Sequence, residues 1–339
     1  MNAGVLGLFT AAVFLTAGAA NATTRLVVNC FWPPQHAMCI KILPHWLDEV
    51  ERVTEGRVTG MIPSLSVAPA PEQLAAVEKG MVDAGVQFNG LIANRVTGAL
   101  LAMNPFTGVD QAQPMTQAMW ETNRKFFPDE FDTVELLAQW VVPPGLLFST
   151  TDKPIVTLDD FRSRKLWALP GPVANMSSAL GAGVVATPAV QSNEAISRGV
   201  VDGHFGLGGE AIRSFQVIPY TTSMTRFSTP VYTTTFSFFM NKDKWNEISP
   251  EDQAAIWSVS GEVLGMAAAQ SWDTQTQAVF DSFAQEDIAV VDANPSLEAA
   301  LHEAAVPIVE KWKADATAAG IDAEAALAFY RQRLADLTK

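Results

Sequence analysis

DKPIVTLDDFRSRKLWALPG (residues 152–171) and NEAISRGVVDGHF (residues 193–205) open and close the stretch around which the chain is organised. Lys153-Pro154 reads as a turn and Asp159-Asp160 as an acidic helix start. Lys165–Leu169 reads as a short strand stopped by Pro170-Gly171. The closing part predicts a helix ended by Gly199, then a short strand ending at Gly203. It has an upstream echo. Ala76-Val77-Glu78-Lys79-Gly80-Met81-Val82-Asp83 and Ala195-Ile196-Ser197-Arg198-Gly199-Val200-Val201-Asp202 share the pattern Ala, aliphatic, x, basic, Gly, x, Val, Asp. In each copy glycine supplies the left-handed residue that ends a helix, and the basic residue before it faces the helix's negative end. Two copies so far apart imply two similar lobes rather than a solenoid, whose repeats come at shorter periods.

The ordered set KP, then DDF-x-S-x-KL-x-x-LPG, then GVVDG resembles the solute-binding proteins of TRAP transporters, from about Arg25 to the C-terminus. The resemblance implies an α/β, two-lobed periplasmic solute-binding fold with mostly parallel sheets and long C-terminal helices. It also implies hinge strands between the lobes near residue 140 and within Thr221–Met240. The expected division is a signal peptide at 1–22, mainly the first lobe at 23–145 and mainly the second at 146–235. Residues 236–339 are then the hinge return and C-terminal helices packing across both lobes. The implied function is capture of a small organic solute in the interlobe cleft and its delivery to TRAP-type membrane permease subunits.

The bounds of the chain agree with an exported binding protein. A length of 339 residues allows two lobes with sizeable cores, and 48% hydrophobic residues fit a packed protein. With 36 acidic against 22 basic residues, the formal charge of −14 argues against nucleic acid or an anionic membrane surface as partner. Residues 4–20 are small and apolar and end in Ala20-Asn21-Ala22, a small-x-small site, so cleavage after Ala22 is expected. The only positive charge ahead of them is the α-amino group. After cleavage no stretch is long and apolar enough for membrane insertion, so the expected location is the periplasm. An even cysteine count in an exported chain favours a Cys30–Cys39 disulfide, the alternative being two separate buried thiols. His36-x-x-Cys39 offers only two metal ligands, too few for a site.

Strand, helix, strand, helix, strand from Arg25 to Phe88 makes an α/β lobe, and ligands of such sheets sit at the carboxyl ends of strands. That places Phe31 and Trp32 after the first strand, and Phe88 and Asn89 after the third, beside the cleft. Pro44 interrupts the first helical pattern, which should kink or restart there. Tyr232, Thr234, Phe236 and Phe238 alternate with Thr233, Thr235 and Ser237 as in a strand. Ser249-Pro250-Glu251-Asp252 is a strong helix start, and a long helix should follow to about Ala284. The run 296–338 reads as two more helices.

No nucleophile elbow, zinc pattern or phosphate loop accompanies the four histidines, so neither an enzyme nor a cofactor is expected. An exported α/β enzyme is the rival. Gly206-Leu207-Gly208-Gly209 is too incomplete for a dinucleotide fingerprint and suits close approach of a helix end to the cleft.

The family's strand after KL normally offers an Arg that grips the ligand's carboxylate. Here Trp167 stands there, Leu146-Leu147-Phe148 lacks the second basic residue, and Gly206 stands near an expected Asn. Trp167 and Glu210 together suggest a small amine or amino alcohol, held by an indole face and a carboxylate. The alternative is a carboxylate, aromatic acids included, reached by another Arg such as Arg95 or Arg226. Phe205 and Tyr232 complete the expected ligand-binding set.

Overall fold

Asp83 and Asp202, the last residues of the two echoed units, do the same structural work. In this structure, a computed structural model describing residues 23–339, Asp83 N–H donates to Val27 O at 2.9 Å and its carboxylate accepts from Val27 N–H at 2.7 Å. Asp202 makes the same pair with Lys165, again at 2.9 and 2.7 Å. Upstream, Gly80 (φ +65°) and Gly199 (φ +63°) end their helices, and Met81 and Val200 N–H reach back to Ala76 and Ala195 O. The unit is thus a helix stop followed by a ring of two bonds that sets the register of a parallel strand pair. Asp202→Ala and Asp83→Ala are each expected to lower stability by about 1–2 kcal/mol, the lower range for bonds to a half-buried charge. Urea unfolding midpoints check this; one variant matching wild type would break the equivalence. The signal peptide and its cleavage site lie outside the described residues.

The elements run β1 (Thr24–Asn29), α1 (Leu43–Val53), β2 (Val58–Met61), α2 (Gln73–Glu78), β3 (Ala84–Phe88), α3 (Ala112–Phe126) and β4 (Val134–Val141). Then come β5 (Leu146–Ser149), α4 (Leu158–Arg162), β6 (Lys165–Ala168), α5 (Pro172–Ala179), β7 (Gly183–Ala186), α6 (Ser192–Ser197), β8 (Gly203–Leu207), α7 (Gly209–Ser214) and β9 (Ser223–Arg226). The chain closes with β10 (Thr235–Asn241), α8 (Lys242–Glu247), α9 (Pro250–Ser258), α10 (Glu262–Ser282), β11 (Ala289–Asp292), α11 (Pro295–Ala318) and α12 (Ala323–Leu337).

Two sheets result, ordered β2-β1-β3-β10-β4 and β11-β9-β5-β8-β6-β7. Each has a parallel trio, β2-β1-β3 and β7-β6-β8, capped by an antiparallel strand, β10 and β5 respectively. The chain crosses between sheets at 142–145 and returns through 227–234, where Gly145 and Tyr232 form an isolated bridge. Helix α10 also spans the gap, packing on α3 and β4 on one side and on α7 on the other. Two lobes with a cleft between their strand ends follow from this wiring.

Local details obey the residues. The five-residue wide turn Met38–Ile42 precedes α1, with Leu43 N–H reaching Met38 O, where Pro44 has no N–H to continue an ordinary ladder. Thr157 and Asp160 form a capping box at the start of α4. Two expectations need correction. The strand does not end at Gly203 but begins there, because the backbone of Asp202 is engaged by Lys165 and Thr150 as the lead-in. The helix from Pro250 does not run unbroken to Ala284: it breaks at Gly261 (φ +57°), whose N–H goes to Leu137 O. The break lays α10 flat on β4, so closely that a Cβ on Gly265 would stand 2.5 Å from Gln139 O.

Candidate functional site

The cleft between the lobes holds a cavity of about 70 Å³. The loop after β1 contributes Phe31 and Trp32, β3 contributes Phe88, and the first crossing contributes Val142, Pro143 and Gly145. The opposite wall is Leu169, Pro188–Val190, the Gly206–Gly208 run and, on or just beyond α7, Glu210, Ala211 and Phe215. Thr234 and Phe236 come from the returning segment and β10, Trp272 and Thr276 from α10. The glycines keep this wall close. A Cβ on Gly145 would meet Gly206 O at 2.5 Å, and one on Gly209 would stand 2.9 Å from the Phe280 ring.

Five of the lining residues form a connected set of rings. Trp32 stacks on Phe31 at 4.1 Å and lies 5.2 Å from Phe236 and 5.8 Å from Trp272. Phe236 continues the contact to Phe88 at 5.6 Å and to Trp272 at 5.9 Å. Cys30 and Cys39 are bridged across the loop that carries Phe31 and Trp32.

The polar corner is Glu210, 2% exposed. Its Oε1 accepts from Ser214 Oγ and lies 3.1 Å from His36 Nε2, an ion-pair distance whose direction departs from hydrogen-bond geometry. His36 Nδ1 accepts from Met38 N–H at 3.1 Å, so the proton of this tautomer sits on Nε2, towards Glu210. The pair therefore joins the disulfide loop of one lobe to α7 of the other.

Among the sequence-predicted residues, Phe31, Trp32, Phe88 and Glu210 come together on the cavity wall; Asn89, Trp167, Phe205 and Tyr232 do not line it. Trp167 is fully buried on β6, outside the cavity lining, and its Nε1 donates to Thr187 Oγ1 at 2.8 Å. Phe205 packs against Phe161 and Phe227, and Asn89 donates to Thr235 Oγ1. Tyr232 sits at the crossing, and burial pushes its phenol pKa well above the ordinary range. Among the described residues no Lys or Arg lines the cavity: Arg95 pairs with Glu78, Arg226 with Asp292, and Arg164 donates to Thr151 Oγ1 and Lys153 O. Sequence reasoning missed Trp272, Phe215 and Thr276, which carry no local signal; Phe236 was visible in the alternation that also gave Tyr232.

His204 is buried in β8 away from the cavity, stacked on Phe148 at 4.7 Å, with neither ring nitrogen hydrogen-bonded. Burial pushes its pKa down to about 3. The unfolded chain, titrating near the ordinary value of about 6.5, binds the extra proton first, so this contribution is complete above that pH. Stability should fall by about 1.4 kcal/mol per pH unit as pH drops from there towards the folded value. His204→Leu should flatten that part of the pH–stability curve, measured by urea unfolding. An unchanged slope would contradict it.

The family model for "Bacterial extracellular solute-binding protein, family 7" matches residues 28–315. The outer membrane transporter protein TsaT of Comamonas testosteroni is 34% identical over 327 residues, covering 96% of this chain and 95% of that one. A TRAP periplasmic solute-binding protein of Bordetella bronchiseptica, solved with (R)- and (S)-mandelate, superposes with a TM-score of 0.86 at 31% identity, covering 93% and 99% of the two chains. A TRAP solute-binding protein of Rhodoferax ferrireducens, solved with copurified benzoate, gives 0.83 at 25% identity and the same coverage of 93% and 99%.

Proposed function

The chain belongs to family 7 of the bacterial extracellular solute-binding proteins, and from that premise we propose that it captures a small monocyclic aromatic carboxylic acid for a TRAP-type permease. Membership makes it an extracytoplasmic solute-binding protein rather than an enzyme, working with membrane permease subunits. The aromatic ligand is the finer reading, and the observation that carries it is the wall of Phe31, Trp32, Phe88, Phe236 and Trp272. Rings at these spacings take a flat π-system in offset or edge contact, each pair adding about 0.5–1.5 kcal/mol beyond burial.

The mandelate and benzoate held by the two relatives support an acid over the amine expected from Trp167 and Glu210. The amine reading also loses the cation–π partner it names, since Trp167 lies outside the cavity. Neither Arg95 nor Arg226 reaches in to restore a clamp.

The cavity volume of about 70 Å³ is roughly half of the apolar cavity of about 150 Å³ known to hold benzene. Ligand entry therefore requires the walls to part. The crossings at 142–145 and 227–234 are the places where such a motion would bend the chain, with α10 as the rigid spine. The small molecule released when the purified protein is denatured tests the reading by mass spectrometry. A benzoate- or mandelate-like acid is expected; a polyamine or an aliphatic dicarboxylate would refute it.

A further inference from the structure

Glu210 is the sole ionisable side chain lining the cavity among the described residues. Its Oε1 is held by Ser214 Oγ and faces His36 Nε2, while Oε2 has no hydrogen-bond partner among the described residues. Oε2 is therefore the carboxylate oxygen left to meet a proton donor that enters the cavity. An acid arriving as its anion brings the opposite, a second carboxylate, into a cavity that no Lys or Arg among the described residues lines.

We propose that the acid is captured together with one proton, taken from solvent and held between its carboxyl group and Glu210 Oε2. The inference rests on the aromatic-acid reading above. Two carboxyl groups in contact cannot both stay ionised; they keep one proton between them and titrate as a pair. The balance is simple: anion plus proton plus protein gives a complex whose net charge equals that of the free protein. Glu210 thereby becomes a specificity-determining residue, accepting from carboxylic acids and rejecting anions that stay ionised.

The surroundings direct the proton to this pair. The Nδ1 of His36 is occupied, accepting from Met38 N–H, and its Nε2 lies against Glu210 Oε1. On α7 itself, Arg213 turns away to Ser282 at the end of α10 and to Glu286 beyond it. From α10, Asp273 is turned to the N–H groups of Ala112 and Gln113 at the start of α3, and Thr276 Oγ1 accepts from Glu210 N–H. No other charged group among the described residues faces Glu210 from these elements.

Calorimetric titration of the exported chain with benzoate and mandelate, at about pH 6 and about pH 8 and in buffers of low and high ionisation enthalpy, counts the protons. Wild type should take up one proton per acid, with Kd weakening about tenfold per pH unit. Glu210→Gln, whose amide donates directly to the anion, should bind with no proton uptake and a Kd independent of pH. Wild-type binding without proton uptake overturns this inference and leaves the acid reading standing. Failure of both acids to bind at either pH overturns both. Should Glu210→Gln not fold, the wild-type proton count decides alone.

Discussion

Replacing Trp32 by alanine is expected to cost about 3–5 kcal/mol of stability, the usual price of an aromatic core truncation. The same substitution should weaken aromatic-acid binding at least about thirtyfold, corresponding to a hot-spot loss of about 2 kcal/mol. Trp32 is 6% exposed and touches Phe31, His36, Phe236 and Trp272, so it is both a core residue of the β1 lobe and the junction of the ring wall. Urea unfolding reads the first effect and calorimetry the second. Trp32→Phe, which keeps a ring with less area, should recover most of the stability and part of the affinity. An alanine variant that unfolds at the wild-type midpoint would show that the ring wall is not a structural unit.

Loss of the Cys30–Cys39 bridge should come next in size. The bridge closes a short loop, separation 9 in sequence, for which the chain-entropy relation gives about 2–3 kcal/mol. That loop carries Phe31, Trp32 and His36, three of the residues that shape one wall of the cleft and its polar corner. Cys30→Ser with Cys39→Ser, or reduction of the native protein, should lower the unfolding midpoint and also weaken acid binding, because an unpinned loop must be ordered on capture. A reduced protein with unchanged midpoint and unchanged Kd would contradict both parts.

The fold was readable wherever the signal was local. The Gly-x-Val-Asp echo pointed to two lobes because a helix stop, a register-setting Asp and a buried strand all fall within a few residues of each other. Its exact strand start was not readable, since Asp202 meets Lys165 only through the parallel pairing of β6 and β8. The break at Gly261 was likewise hidden. Ser258, Val259 and Ser260 do not stop a helix by themselves; contact of Gly261 with Leu137 and of Gly265 with Gln139 sets the turn.

For the cavity wall, the strand-end rule of sheet topology picked out Phe31, Trp32 and Phe88, while Asn89, given by the same rule, turns to Thr235 instead. Trp167 stands out in the sequence only by its place after Lys165-Leu166, where the family normally offers an Arg. The cavity lining takes in Leu169, just past the end of β6, whereas Trp167 is within the strand and bonded to Thr187. Trp272 was invisible for the opposite reason. It lies in a helix remote in sequence, brought to the cleft by the packing of α10 on β4 and α7.

The central claim is an aromatic acid in the ring-lined cleft, and competitive calorimetry of the exported chain tests it most directly. Benzoate and mandelate should bind with micromolar or better Kd, about 8 kcal/mol, while succinate and ethanolamine at equal concentration neither bind measurably nor displace them. Tighter binding of succinate or ethanolamine than of either aromatic acid would contradict the account.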